Sequence, residues 1–269
     1  MTQLRAIFES ARVAALIDLA IAKAMPEKGL LCKPLFIDDA QRRLRRAEAA
    51  LSSPSIDKPA VLRFRRPAPG RKDETLRVIC VRWGTKFGDN YVNALRAGVK
   101  RNLTIPHTFE CAEMELGLPG FWNKLGLFRP GFITGPTLYL DLDVVVMGNL
   151  DWALEAAKAA PISMPWVHGK YDTYTPHAAV MTFSGADVSK AWPPSDALME
   201  SFQDDERYLP IEFADVIGRL PEGKVISYKW GVLLRDEAKG ASLVSFHGFP
   251  KPHQITGEPL LTRHWDVLR

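Results

Sequence analysis

The run TLYLDLDVVV, residues 137–146, constrains the fold more than any other part of the chain. Apolar side chains precede Asp141 and three valines follow Asp143. Such a run is expected to form a strand covered on both faces, as in mainly parallel sheets flanked by helices. Two carboxylates stand inside it, where an unpaired charge is costly to bury. Residues i and i+2 of a strand share a face. Asp141 and Asp143 are therefore expected side by side, where they repel. A divalent cation removes that repulsion and supplies the missing partner. The plainer reading has one aspartate ending the strand and the other capping a turn.

The rest of the chain supplies the layers that such a strand needs. LRVICVRW, starting at Leu76, reads as a buried strand, and HTFECAE as a second. DNYVNALRAGVKRNL between them reads as a helix with Asp89 as N-cap. FWNKLGLF reads as helical, stopped before Pro130, and ISMPWV, AAVMTFS, GKVISYKW and ASLVSFHG read as strands. Strands alternating with helical stretches predict an α/β domain over residues 75–269.

Residues 1–74 differ in character. They hold 15 Lys and Arg against 9 Asp and Glu, while the remainder holds 20 against 22. Apolar positions in residues 2–24 follow an amphipathic helical spacing, and Glu9 and Asp18 interrupt what would otherwise resemble a signal peptide. QRRLRRAEAAL predicts a second helix, followed by a proline-rich basic stretch through Lys72. This extension is expected to pack on the domain or to meet an anionic membrane surface; no nucleic-acid partner is expected. No apolar run reaches the roughly 18 residues of a membrane span. Cys32, Cys80 and Cys111 fit neither a disulfide framework nor a zinc pattern, so the expected setting is cytoplasmic, with Cys80 buried.

A second chemistry-bearing segment is SFHGFPKPH near the C-terminus. Neutral His247 is a potential metal ligand, Gly248 lets backbone approach a ligand closely, and Lys251 places a point charge on phosphate. The aromatic faces of Trp83 and Tyr91 suit a nucleobase or the core equally.

Taken in order, these segments resemble the retaining glycosyltransferases of the GT-A fold, the family 8 group that includes glycogenin and bacterial lipopolysaccharide galactosyltransferases. The resemblance rests on RVICVRWGTKFGDNY, on the acidic pair Asp141 and Asp143, on HAAVM and on HGFPKPH. The approach FWNKLGLFRPGFITGP, with Lys124, and the segment DDERYL add to it. His177 and Ala178 stand where the family has Asn and Ser, His253 where it has Trp, and the spacing from His247 to Gly248 is one residue shorter. The resemblance implies a mixed, mainly parallel central sheet and transfer of a hexose from a nucleotide-sugar, a UDP-sugar first, with retention. The acceptor, a carbohydrate, lipid-linked or protein group, is left open. It implies Mn²⁺ or Mg²⁺ on Asp141, Asp143 and His247. Val81, Trp83, Asp89, Asn90, Tyr91, Lys124, Leu142, His177, Gly248 and Lys251 would face the donor, with Asp205 and Glu206 on the sugar side as catalytic carboxylates.

Two other readings fit parts of the chain. Apolar residues followed by D-x-D-x-V also describe haloacid-dehalogenase-type phosphohydrolases, with Asp141 as nucleophile. A non-enzymatic binding protein using the basic N-terminal arm is the third. Hydrolysis of p-nitrophenyl phosphate would favour the former, and a pocket that takes no metal the latter.

Overall fold

The structure, a computed structural model, describes residues 12, 16, 41, 45, 48, 52, 75–169, 174–202, 204–235 and 237–265. The chain divides into two compact units, Met1–Val61 with Gly169–Thr175, and Leu62–His168 with Pro176–Arg269. In the first unit Arg12, Leu16, Gln41, Arg45 and Glu48 are helical, within the two stretches expected to be helices. The amide and hydroxyl of Ser52 both donate to the Glu48 carbonyl, at 3.0 and 2.8 Å. The rest of those two stretches and the basic stretch after them lie outside the described residues.

The second unit is a mixed α/β assembly. Its main strands are β1 (Leu76–Arg82), β2 (His107–Glu113), β3 (Thr137–Leu140), β4 (Val144–Val146), β5 (Ile162–Met164), β6 (Val180–Phe183), β7 (Ile217–Arg219), β8 (Val225–Ser227) and β9 (Leu243–Ser245). The central sheet runs β2-β1-β3-β6-β5-β7. β1 is parallel to β2 and β3, β7 is parallel to β5, and β6 is antiparallel to both neighbours. A smaller sheet, β8-β9-β4, pairs β8 with β9 in parallel and β4 with β9 antiparallel. The mainly parallel α/β architecture expected from the sequence is present.

β1 shows why a continuous apolar run suits this position. Leu76, Val78 and Cys80 enter one core with Leu95, Val99, Leu138 and Leu140. Ile79 and Val81 enter the other with Tyr139, Leu125 and Phe128. Both faces are covered, so every side chain of the strand interior contributes burial. Helix α1 (Asp89–Asn102) closes the first core against β4. A Cβ on Gly98 would stand 2.9 Å from the Val146 Cβ, so the absence of a side chain there sets how closely the helix seats. The N-cap is Gly88, not the expected Asp89, which lies in the first turn and pairs with Arg82. Helices α2 (Trp152–Ala159), α3 (Asp196–Ser201), α4 (Asp205–Glu212) and α5 (Pro259–His264) complete the layers, with a 3₁₀ segment over Gly120–Phe128.

The structure corrects the expectation for TLYLDLDVVV. The run is two strands in two sheets, and Asp141–Asp143 is the turn between them. The Asp141 amide extends the β3 ladder by donating to the Ala179 carbonyl at 2.8 Å. The Val144 amide then donates back to the Asp141 carbonyl at 3.1 Å, and the chain enters the smaller sheet. In a turn the two carboxylates escape the doubly covered strand interior and gain access to cationic partners. GKVISYKW is likewise only partly strand. It stops at Ser227, whose hydroxyl accepts the Trp230 amide at 3.2 Å and caps the turn Tyr228–Val232.

Candidate active site

Two pairing patterns gather the polar residues at one end of the two sheets. In the central sheet Leu140 lies opposite Val180, so Asp141 is next to the segment His177–Ala179 that precedes β6. In the smaller sheet Val144 lies opposite Ser245, and Ser245 opposite Ser227. Because β4 runs against β9, Asp143 at its start meets Phe246 at the end of β9, whose amide donates to the Asp143 carbonyl at 3.3 Å. The turn after β9 then carries His247 and Lys251 into the same place.

Lys124, on the 3₁₀ segment, is buried beneath the acidic residues. Its Nζ is 2.7 Å from Asp205 Oδ2 and 3.3 Å from Asp141 Oδ1, and it donates to the Ala178 carbonyl at 3.3 Å. The contact with Asp205 is a close ion pair, and Oδ2 has no other partner among the described residues. The Tyr139 hydroxyl donates to Asp141. Lys251 Nζ donates to Asp143 Oδ2 and, at 2.7 Å, to the Phe246 carbonyl. Asp143 and Lys251 are 7% and 4% exposed, so each carboxylate–ammonium pair replaces solvent for its partner.

The titration behaviour follows from this burial. Desolvation works against the Lys124 ammonium, but Asp141 and Asp205 outweigh it and hold the amine above its ordinary range. Burial pushes the Asp143 carboxyl up, reinforced by Asp141 and opposed by Lys251. Burial also raises Asp205, opposed by Lys124. Glu206 is raised by desolvation and then by Asp204 and Asp205; with 36% of its side chain exposed, solvent tempers that shift.

The two histidines stand together, with ring centroids 5.1 Å apart. Burial, then His247, keeps His177 neutral. Its Nδ1 accepts the Ala179 amide at 3.1 Å and lies 3.2 Å from Glu206 Oε1. The ring proton therefore sits on Nε2, which is buried without a partner among the described residues. Burial, then Lys229 and Lys251, lowers His247 to about 4, and its Nε2 pairs with the Ser227 hydroxyl at 2.7 Å.

Asp141, Asp143, Lys124, Lys251, Asp205, Glu206, His177 and His247 thus form one constellation. Asp205 and Glu206 open α4, with Asp204 as N-cap accepting the Arg207 amide at 2.9 Å. Gly248 adopts φ +64° beside the turn, near the Lys229 amine. The other expected donor-facing residues are placed differently. Val81 and Leu142 are core residues, and Trp83 packs against the second core. Asp89 and Asn90 are exposed. Tyr91 is buried against Phe87 and Trp265, with its hydroxyl on His253 Nδ1, and burial pushes its phenol up to about 12.

A cation resident on Asp141, Asp143 and His247 does not fit this arrangement. Among the described residues no three His, Cys, Asp or Glu side chains are grouped to hold one. Lysines already compensate both carboxylates, and the His247 Nε2 is engaged by Ser227. Sequence reasoning missed Tyr139 and Ser227, which orient Asp141 and His247. Tyr139 had a signal, standing two residues before Asp141, whereas Ser227 had none.

No protein-family model matches the chain, and no curated protein matches it. Among solved structures it is similar to the glycosyltransferase GlyE of Streptococcus pneumoniae TIGR4, at 14% identity and TM-score 0.49, over 65% of this chain and 56% of that one. The apo form of GlyE gives 12% identity and TM-score 0.48 over 66% and 56%. A glycosyltransferase involved in glycosylation of the major capsid of PBCV-1 gives 11% identity and TM-score 0.46 over 67% of this chain and 97% of that one. The chain therefore spans little more than half the length of GlyE.

Proposed function

We propose that this chain is a glycosyltransferase that takes a nucleotide-sugar, a uridine diphosphate hexose first, and transfers the hexose with retention. One observation carries the reading: two buried ammonium groups, Lys124 and Lys251, stand among the carboxylates Asp141, Asp143 and Asp205. Glycosyl transfer from a nucleotide needs both signs side by side. The bond from the anomeric carbon to the diphosphate breaks with its electron pair going to phosphate, while positive charge develops on the sugar. Fixed charges in a site closed to water stabilise such separation without reorganising.

In this reading Lys251 takes the leaving phosphate and Lys124 holds Asp141 and Asp205 in place. Asp205 faces the developing charge on the sugar. The acceptor oxygen bonds to the anomeric carbon from the face the diphosphate leaves, and its proton passes to the departing phosphate. Neutral His177, with its proton on Nε2, offers a hydrogen-bond donor to a sugar oxygen. The Mn²⁺ or Mg²⁺ implied by the sequence resemblance enters none of these steps.

The test is release of uridine diphosphate from a panel of UDP-hexoses, with the product anomer read by proton NMR. Asp205→Asn should lower turnover by about 100-fold or more while nucleotide affinity stays within about threefold, the pattern of an interaction made mainly in the transition state. Wild-type turnover in that variant removes Asp205 from the reaction, and an inverted product removes retention. Hydrolysis of p-nitrophenyl phosphate without action on any nucleotide-sugar would favour Asp141 as a phosphatase nucleophile instead.

A further inference from the structure

Cys80 and Cys111 take no part in the constellation, yet the central sheet sets them side by side. They are register partners in the parallel pair of β1 and β2. Register partners leave the same face of a sheet, and both side chains lie on the side of the first core. The Cys80 sulfur reaches across to β2, where it donates to the Glu110 carbonyl at 3.6 Å. Neighbouring strands run about 4.8 Å apart, inside the Cα separation that a disulfide spans. Both cysteines are free thiols.

The two thiols are not equivalent. Cys80 is fully buried on a strand with neighbours on both sides, whereas Cys111 is half-buried on β2, an edge strand. Guanidinium groups gather on the face they share. Arg82 follows Cys80 by two residues. Arg96 of α1 lies over Phe109, two residues before Cys111, at 5.1 Å from the ring centroid. Hydrogen bonding with Cys80 lowers the Cys111 thiol, against burial and Glu113, and Arg82 and Arg96 add to the lowering. The same contact, together with burial, pushes the Cys80 thiol up. The thiolate is the attacking form, so an oxidant meets Cys111 first, with Cys80 beside it to resolve the product.

We propose that Cys111 and Cys80 form a dithiol site that reacts with hydrogen peroxide and closes reversibly into a disulfide between β2 and β1. The Cys111 thiolate attacks one peroxide oxygen. An S–O bond forms, the O–O bond breaks, and the departing hydroxide takes up the proton that Cys111 gave up and leaves as water. The Cys80 sulfur then attacks the sulfur of the sulfenic acid. An S–S bond forms, the S–O bond breaks, and the hydroxide leaves with the Cys80 proton as a second water. Two thiols are oxidised by two electrons in all, and one peroxide is reduced by two. Directly opposed side chains put their Cβ atoms at the long end of what a disulfide accepts, so a thiol reductant reopens the bond readily.

The test treats the reduced full chain with hydrogen peroxide and blocks residual thiols with N-ethylmaleimide in denaturant. Tryptic peptides are then read by mass spectrometry without reduction. Trypsin releases Cys80 in residues 78–82 and Cys111 in residues 102–124. These two peptides should appear joined, lighter than their sum by two hydrogens, from a chain that stays monomeric in non-reducing electrophoresis. Dithiothreitol should separate them. Cys80→Ser should leave Cys111 as a sulfenic acid that dimedone traps. Cys111→Ser should slow modification of Cys80 about tenfold or more, because the buried thiol then lacks its more reactive neighbour. Cys111 joined to Cys32 or to a second chain overturns the proposal. So does Cys111 carried on to sulfinic acid without linkage, or a pair left untouched by peroxide that oxidises free glutathione. Cys80 modified as fast in Cys111→Ser as in wild type overturns the assignment of roles. The linkage itself is read on the unsubstituted chain, so it decides the matter even where a serine variant fails to fold.

Discussion

Asp143 has two duties at the residue scale, and they set what its substitution does. It is a buried anion whose partner, Lys251, is equally buried. Removing one member of such a pair strands the other, at a cost of about 3–5 kcal/mol. Asp143→Asn should therefore lower unfolding stability in urea by that order, not merely weaken a ligand. Asp143→Leu combined with Lys251→Met should recover much of the loss, since replacing both charges removes the uncompensated one. Additive losses in that double-mutant cycle would show that the two side chains are not coupled. His247 gives a pH signature of its own. Its folded value of about 4 lies below the ordinary 6.5, so between those values the unfolded chain takes up a proton that the folded chain refuses. That contribution to stability is complete above about pH 6.5 and is lost as pH falls toward about 4. Asp143 and Asp205, shifted upward, act in the opposite sense, and burial keeps neighbouring His177 neutral. The difference in melting temperature between wild type and His247→Gln should therefore shrink on acidification from pH 7 to pH 5. A difference constant with pH would mean that the imidazole is not held neutral.

Close approach decides the energetics at the scale of elements. α1 lies on β4 at Gly98, where even a methyl group would stand 2.9 Å from Val146. Gly98→Ala gains up to about 1 kcal/mol of helix propensity. It forces the helix off the strand, and overpacking of this kind costs about 1–3 kcal/mol. A lower melting temperature is the expected net result, and an unchanged or higher one would mean that the helix yields freely. The same helix is tied to α2 just past its C-terminus. Asp151 accepts the Thr104 amide at 2.8 Å and the Thr104 hydroxyl at 2.6 Å, and Asn149 Nδ2 donates to it at 2.9 Å. Asp151→Ala strips several hydrogen bonds to a charged group at once and should cost about 1.5–3 kcal/mol in urea unfolding. Since β4 carries Asp143 at its start, both substitutions also test how far the constellation depends on the seating of this layer.

At the scale of the whole molecule, the polar groups of the constellation come from five distant stretches of chain, around residues 124, 141–143, 177, 205 and 247–251. Sheet pairing brings them together: β3 against β6 for the first set, β4 against β9 for the second. The excess of basic residues lies before residue 75. A contact of that segment with anionic membranes predicts that the full chain sediments with phosphatidylserine vesicles at low salt and is released as salt rises, because surface attraction is screened within about 10 Å at 0.1 M. No sedimentation at the lowest salt would leave the arm without a membrane role. Among the described residues no helix is long and apolar enough to cross a membrane.

Much of this was legible in the residues themselves. β1 and β2 fall where apolar runs and turn residues put them, and Cys80 is buried as its context required. Asp141, Asp143, His247 and Lys251 could be picked out because charge and imidazole stand against apolar or glycine-proline surroundings, whereas Lys124, His177, Asp205 and Glu206 came only from the resemblance to family 8 glycosyltransferases. Period and composition act locally, and a single chain displays them. What the residues could not disclose was the break inside TLYLDLDVVV, since a strand and a strand–turn–strand with the same apolar content differ only in which sheets receive the two halves. They could not disclose the helix opened by Asp205 either, because its buried face is defined by partners far along the chain. Nor could they tell which charge each aspartate meets. Asp143 and Lys251 stand 108 residues apart, and only the antiparallel docking of β4 on β9 decides that a lysine holds that carboxylate.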